Sequence, residues 1–178
     1  MELEDEFLKF SIDRFQFLKK QAEDSIAQIN EDEKLYWSPD NESNSVAILA
    51  KHITGNIRSR WTDIFNTDGE KPDRNRPGEF DVNYKPTRDQ LMALWDESWQ
   101  VLFSTLIGLH PEDITKNIYI RKEPHSVMKA ILRQLTHYAV HVGQITFLAK
   151  HISSENWQTL SIPRNKEVFD YKNLKSNK

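Results

Sequence analysis

The chain has 178 residues, of which 38% are hydrophobic and 29% charged, a formal net charge of −3, and no cysteine. This is one ordinary domain's worth of chain, able to bury about two thirds of the surface its unfolded form exposes. The composition excludes a disulfide framework, a cysteine nucleophile and thiolate metal ligands, and it lacks the overall basic charge of a nucleic-acid binder.

The acidic start MELEDEF carries no apolar leader, and no window approaches the 18 or more apolar residues of a membrane span. A cytoplasmic protein with no membrane and no nucleic-acid partner is expected. Residues 2–30 read as a first helix. Leu3, Phe7, Phe10, Phe17 and Ile29 form its stripe, thickened by Leu8, Ile12, Phe15, Ala22 and Ile26. Residues 31–43 are a polar loop, pinned by Trp37 and flanked by Tyr36.

A second helix runs from Ser45 to Phe65, capped by Ser43 or Asn44, with Val46, Leu49, Ile53, Ile57, Trp61 and Ile64 on its apolar side. Gly55 inside it costs about 1 kcal/mol relative to alanine and leaves room for another backbone or a ligand. Residues 66–86 hold three prolines and two glycines and predict a helix-free crossover, long enough to line a site. Arg58, Arg60, Lys71, Arg74 and Arg76 lie in or near it. Asp63, Asp68, Glu70 and Asp73 cancel most of their field, and the arginines suit a small anionic substrate.

A third helix starts at the Thr87 cap, with Gln90 three residues on, and runs to about Leu109. In the connector 110–123, Ile118–Ile120 reads as an extended piece pairing with Phe80–Val82. A fourth helix runs from Pro124 to Lys150. On it Ala130, Gln134, His137, His141, Ile145 and Leu148 share one side, beside an apolar stripe through Ile131, Leu135, Tyr138 and Val142. Four amphipathic segments imply an all-α four-helix bundle over residues 1–160. The tail 161–178 docks in part, through Phe169 and Tyr171.

His137 and His141 are spaced HxxxH, so both rings reach one ion from one helical face. His52 heads a polar stripe with Asn56 and Arg60 on the second helix. If the second and fourth helices face each other, His52, His137 and His141 make a three-histidine set with a fourth position open. Imidazole suits Zn²⁺, Ni²⁺ and Fe²⁺ alike. The other reading is three hydrogen-bonded core histidines. His125 stands about 18 Å along the axis from His137, too far to share the ion. His110 and His151 lie outside the site.

Around the set, Gln144 orients a ligand ring or is a surface glutamine, and Tyr138 reaches the site or packs. Asn56 supports the site. Arg60 holds a substrate carboxylate or thiolate, or bridges to Asp63. No carboxylate stands where a general base is needed, and ExxH pairs of a di-iron site are absent from the helices.

HITGNIRSRW at 52–61 and HYAVHVGQI at 137–145 resemble the DinB/YfiT-like superfamily of metal-dependent bundles. The similarity extends through SVAILAKHITGNIRSRWTDIF, TDGEKPDRNR and KAILRQLTHYAVHVGQI, nearly the whole chain, and looks most like a small bacillus-type branch of unassigned activity. The resemblance implies an up-down-down-up bundle with a long crossover between helices 2 and 3. It also implies a homodimer and a divalent metal on His52, His137 and His141, with Gln144 completing HxxxHxxQ. Some relatives transfer low-molecular-weight thiols such as bacillithiol or mycothiol. The expectation is a metal-dependent enzyme joining such a thiol to a small electrophile. The alternative is a dimeric metal- or ligand-binding bundle without turnover.

Overall fold

The computed structural model describes residues 3–163, and the chain is mostly helical. Helix α1 spans Leu3–Ile26, with Glu4, Asp5 and Glu6 at its positive end. It stops short of residue 30, and the Arg88 side chain satisfies carbonyls at and beyond its end, donating to Ile26 O at 2.8 Å and to Ile29 O. The stripe it buries is Leu8, Phe15, Leu18, Ala22 and Ile26. Leu3, Phe10 and Phe17, expected on the core side, are exposed, and the Arg14 guanidinium lies over the two phenylalanine rings.

A 3₁₀ turn at Asp32–Tyr36 interrupts the loop that follows. Trp37 stacks on His151 with ring centroids 5.0 Å apart, and the Tyr36 hydroxyl donates to Pro86 O. Helix α2, Val46–Trp61, is capped by Ser45 rather than Ser43 or Asn44. It ends where Asp63 takes a left-handed φ of 48°.

The crossover is not helix-free. Asn75 accepts from Gly78 N–H, Pro77 sits in the first turn, and a short helix α3 forms over Arg76–Glu79. Helix α4, Arg88–Ile107, opens on the expected Thr87–Gln90 capping box.

Strands β1 (Asn117–Ile120) and β2 (Glu123–Ser126) form an antiparallel hairpin pairing Ile118 with His125. The expected pairing with residues 80–82 does not occur, because the adjacent segment closes a far shorter loop. The crossover touches β1 elsewhere: Gly69 N–H donates to Tyr119 O at 2.7 Å. Pro124 lies in β2, so the last helix starts later than expected. Helix α5, Val127–Ser153, is capped by Ser126, consistent with proline biasing its predecessor away from helix.

Helix α2 packs on α4 and α5, and α1 packs on α5 and α4. The core joins one ring from each long helix: Phe15, Trp61, Trp99 and Tyr138. Phe15 meets Trp61 at 6.3 Å and 77°, and Trp99 meets Tyr138 at 5.8 Å and 67°, both edge-to-face. Among the described residues no helix is long and apolar enough to cross a membrane. Phe169 and Tyr171 lie outside the described residues.

Candidate metal centre

The contact of α2 with α5 brings His52 against His137 and His141. The turn of helix between the two α5 histidines aims both rings at one point. The Nε2 atoms of His52 and His137 stand 3.2 Å apart, those of His141 and His137 3.1 Å apart. One ligand atom from each of the three lies within 4.8 Å of the others. Nitrogens about 2.0–2.1 Å from a tetrahedral zinc would be about 3.3–3.4 Å from one another, so the spacing is close to that of a donor set.

The proton positions sharpen this. His52 Nδ1 donates to the Glu79 carboxylate at 2.8 Å, and His141 Nδ1 donates to Gln144 Oε1 at 2.8 Å. When neutral, a ring in this tautomer carries a bare lone pair on Nε2. Both lone pairs face His137 Nε2, which has one proton to offer at most. One acceptor is left facing a nitrogen unless a cation joins them. A second proton on His137 is disfavoured, because burial, the neighbouring imidazoles and the nearby arginines push its pKa down to about 4. Burial also lowers His141, against the hydrogen bond it donates to Gln144. Neutral imidazoles with converging lone pairs fit a divalent metal.

Glu79 belongs to α3, and sequence reasoning passed it over. Burial alone would raise its carboxyl, but His52 and Arg74 hold it below the usual glutamate range. Arg74 grips both carboxylate oxygens, at 2.8 and 2.9 Å. Gly55 provides the room: a Cβ there would overlap the Glu79 carboxylate. The close approach expected at Gly55 is therefore made by a side chain. The signal for Glu79 was present in Asn75-Arg76-Pro77, a helix start overridden by the proline and glycine content around it.

A family model described as a protein of unknown function, DUF1572, matches residues 2–166. The chain belongs to the DUF1572 family. No curated protein and no solved structure matches it.

In this DUF1572 chain the remaining candidate residues divide by position. Asn56 Oδ1 accepts from the buried Tyr138 hydroxyl at 3.0 Å, which in turn accepts from Trp61 Nε1 at 3.3 Å. Burial raises the Tyr138 phenol, so it stays protonated and ties α2 to α5 behind the imidazoles. Trp61 anchors the end of α2. Arg60 is 5% exposed and donates to Gly69 O and Glu70; Asp63 is not its partner. Gln144 is exposed on the helix surface, and its Oε1 accepts from the His141 ring. Arg58 points away to Glu97, at 3.9 Å. His125 belongs to β2, outside helix α5.

A cavity of about 190 Å³ adjoins the cluster, lined by His52, His137, Asn56, Arg60 and Gln134 together with further arginines. A larger cleft of about 490 Å³ lies beyond Glu79, between Lys51, Gly55, Arg58 and Lys71. No histidine of the cluster lines it.

Proposed function

We propose that the DUF1572 chain is a divalent-metal enzyme acting on a small molecule. His52, His137 and His141 hold the ion, and the reaction class is transfer of a low-molecular-weight thiol, such as bacillithiol, to an electrophile. The observation that carries this is the pair of Nε2 lone pairs, fixed by Glu79 and Gln144, turned on a third imidazole nitrogen. Three histidines leave a fourth position for a ligand, the arrangement of catalytic rather than structural sites. Zn²⁺, Ni²⁺ and Fe²⁺ all accept this donor set.

The residues divide the work. Glu79 keeps the His52 proton on Nδ1, and Arg74 keeps Glu79 ionised. Gln144 does the same for His141, leaving both inner nitrogens free to donate. The cavity beside His137 admits the substrate next to the open position. When bound, the metal would lower the pKa of a thiol there, so the nucleophile forms near neutral pH. Glu70 and Glu79 are both engaged by arginines, so neither is free as a general base. That favours thiol transfer over hydrolysis.

The finer architecture belongs to the same proposal. Helices α1, α2, α4 and α5 are read as an up-down-down-up four-helix bundle of the DinB/YfiT type, dimeric and cytoplasmic. The long connection between α2 and α4 supports this.

The test is a screen of small thiols against electrophiles, followed as loss of free thiol, with metal-loaded and chelated protein. Consumption that requires the metal supports the enzyme. If no thiol is consumed while the ion stays bound, the protein is the alternative, a metal- or ligand-binding bundle without turnover.

A further inference from the structure

The cavity beside His137 carries more positive charge than its own residues balance. Five guanidiniums line it, those of Arg60, Arg74, Arg76, Arg121 and Arg133. The carboxylates paired with them are Glu70 and Glu79. Among the described residues Arg76 and Arg133 pair with no carboxylate.

Two buried polar atoms at this cavity are also unmatched. Arg60 Nε and Gln134 Oε1 have no hydrogen-bond partner among the described residues, although Arg60 is 5% and Gln134 2% exposed. A buried donor without an acceptor is costly, and an oxygen of a bound ligand or a water would satisfy it. The Arg60 guanidinium is held below its ordinary range by burial, and Arg74 beside it adds to that. An incoming negative charge would relieve both effects.

Arg121 stands in the turn of the β1–β2 hairpin. It and Lys122 adopt left-handed φ of 55° and 66° without being glycine. Asp68 secures the turn by accepting both backbone N–H groups, at 2.8 and 2.7 Å. A two-residue turn between β1 and β2 requires this φ at both positions. The crossover is thereby fastened to the hairpin at the rim of the cavity.

We propose that this cavity is an oxyanion site, taking the carboxylate or phosphate of a small acidic substrate on Arg60, Arg121 and Arg133, with Gln134 binding a neighbouring polar group. A planar guanidinium fork is matched to either oxyanion. The cavity, about 190 Å³, is of a size to take a compact acid. The proposal rests on the metal-centre reading for what becomes of the bound acid, and its test reads binding alone.

The test is calorimetric titration of the metal-loaded protein with succinate, inorganic phosphate and the neutral succinamide. The proposal expects succinate and phosphate to bind and to compete with each other, and succinamide to fail. The tighter of the two names the group. R133Q and R121Q should each weaken binding about tenfold or more, R133K less, with metal content unchanged. R58Q, an exposed arginine outside the cavity, should bind like the parent. The metal-deficient H141A should keep measurable anion binding, so loss of the ion and loss of the anion site are told apart. Equal binding of succinamide, or parental affinity in both R133Q and R121Q, would overturn the site.

Discussion

Glu79 and His52 stand 27 positions apart in sequence, and the carboxylate of one accepts the Nδ1 proton of the other at 2.8 Å. Both are buried, at about 5% exposure each. A buried carboxylate needs a charged partner, and Arg74 provides it through two hydrogen bonds. The chain Arg74–Glu79–His52 thus fixes which nitrogen of His52 faces the other imidazoles. Carboxylates set behind metal-binding histidines act in this way.

Replacing Glu79 with glutamine should therefore weaken metal binding without removing a ligand. The amide keeps a similar shape but loses the charge that Arg74 and His52 share. Competition against a chromophoric chelator should show an affinity about 10–100-fold lower. Unchanged affinity would mean that Glu79 serves only the fold.

Gly55→Ala should destabilise the protein, against the usual trend. Inside a helix this change ordinarily gains up to about 1 kcal/mol. Here the new methyl would overlap the Glu79 carboxylate, and a loss of about 1–3 kcal/mol is expected from the disturbed buried pair. Urea denaturation reads it. In an E79A background the penalty should vanish, since the two residues are coupled through one contact.

The metal-free protein should lose stability on acidification. His137 has its folded pKa pushed down to about 4 from an ordinary value near 6.5. The unfolded state therefore binds the proton first. Its contribution is complete above about pH 6.5 and fades as pH falls toward 4, by up to about 3 kcal/mol. His141 and Glu79, both lowered, act in the same direction. Thermal midpoints of chelated protein between pH 7.5 and 4.5 should fall accordingly, and H137A should flatten the profile.

Asp68→Ala should release the hairpin. The carboxylate accepts backbone N–H groups from Glu70, Arg121 and Lys122. Losing these should cost about 1–3 kcal/mol. Amide exchange should quicken at Arg121 and Lys122 while α2 and α5 stay protected.

Much of this was readable from residue order alone, for reasons that particular residues make plain. His137 and His141 are one turn apart, so periodicity puts them together. His52 required that α2 meet α5 at matching depth, which its polar stripe with Asn56 and Arg60 hinted at. Thr87 and Gln90 announced α4 through local chemistry. The misses share a cause. Phe10 and Phe17 satisfy helical spacing as well as Phe15 does, and only packing decides which stripe is buried. Pro124 fits a helix start by local chemistry, and only its strand pairing with Tyr119 places it in β2. Asn75 and Pro77 mark the short helix that carries Glu79, but the meeting of Glu79 with His52, and the gathering of Arg121 and Arg133, depend on how distant segments pack, which no local pattern encodes.

The central claim is that His52, His137 and His141 together hold one divalent ion. Elemental analysis of protein purified without chelators, beside H141A and the exposed-site control R58Q, tests it most directly. About one equivalent of Zn, Ni or Fe is predicted in the parent and in R58Q, with almost none in H141A. A metal-free parent that takes up no ion when supplied, or an H141A variant that keeps its full equivalent, would contradict it.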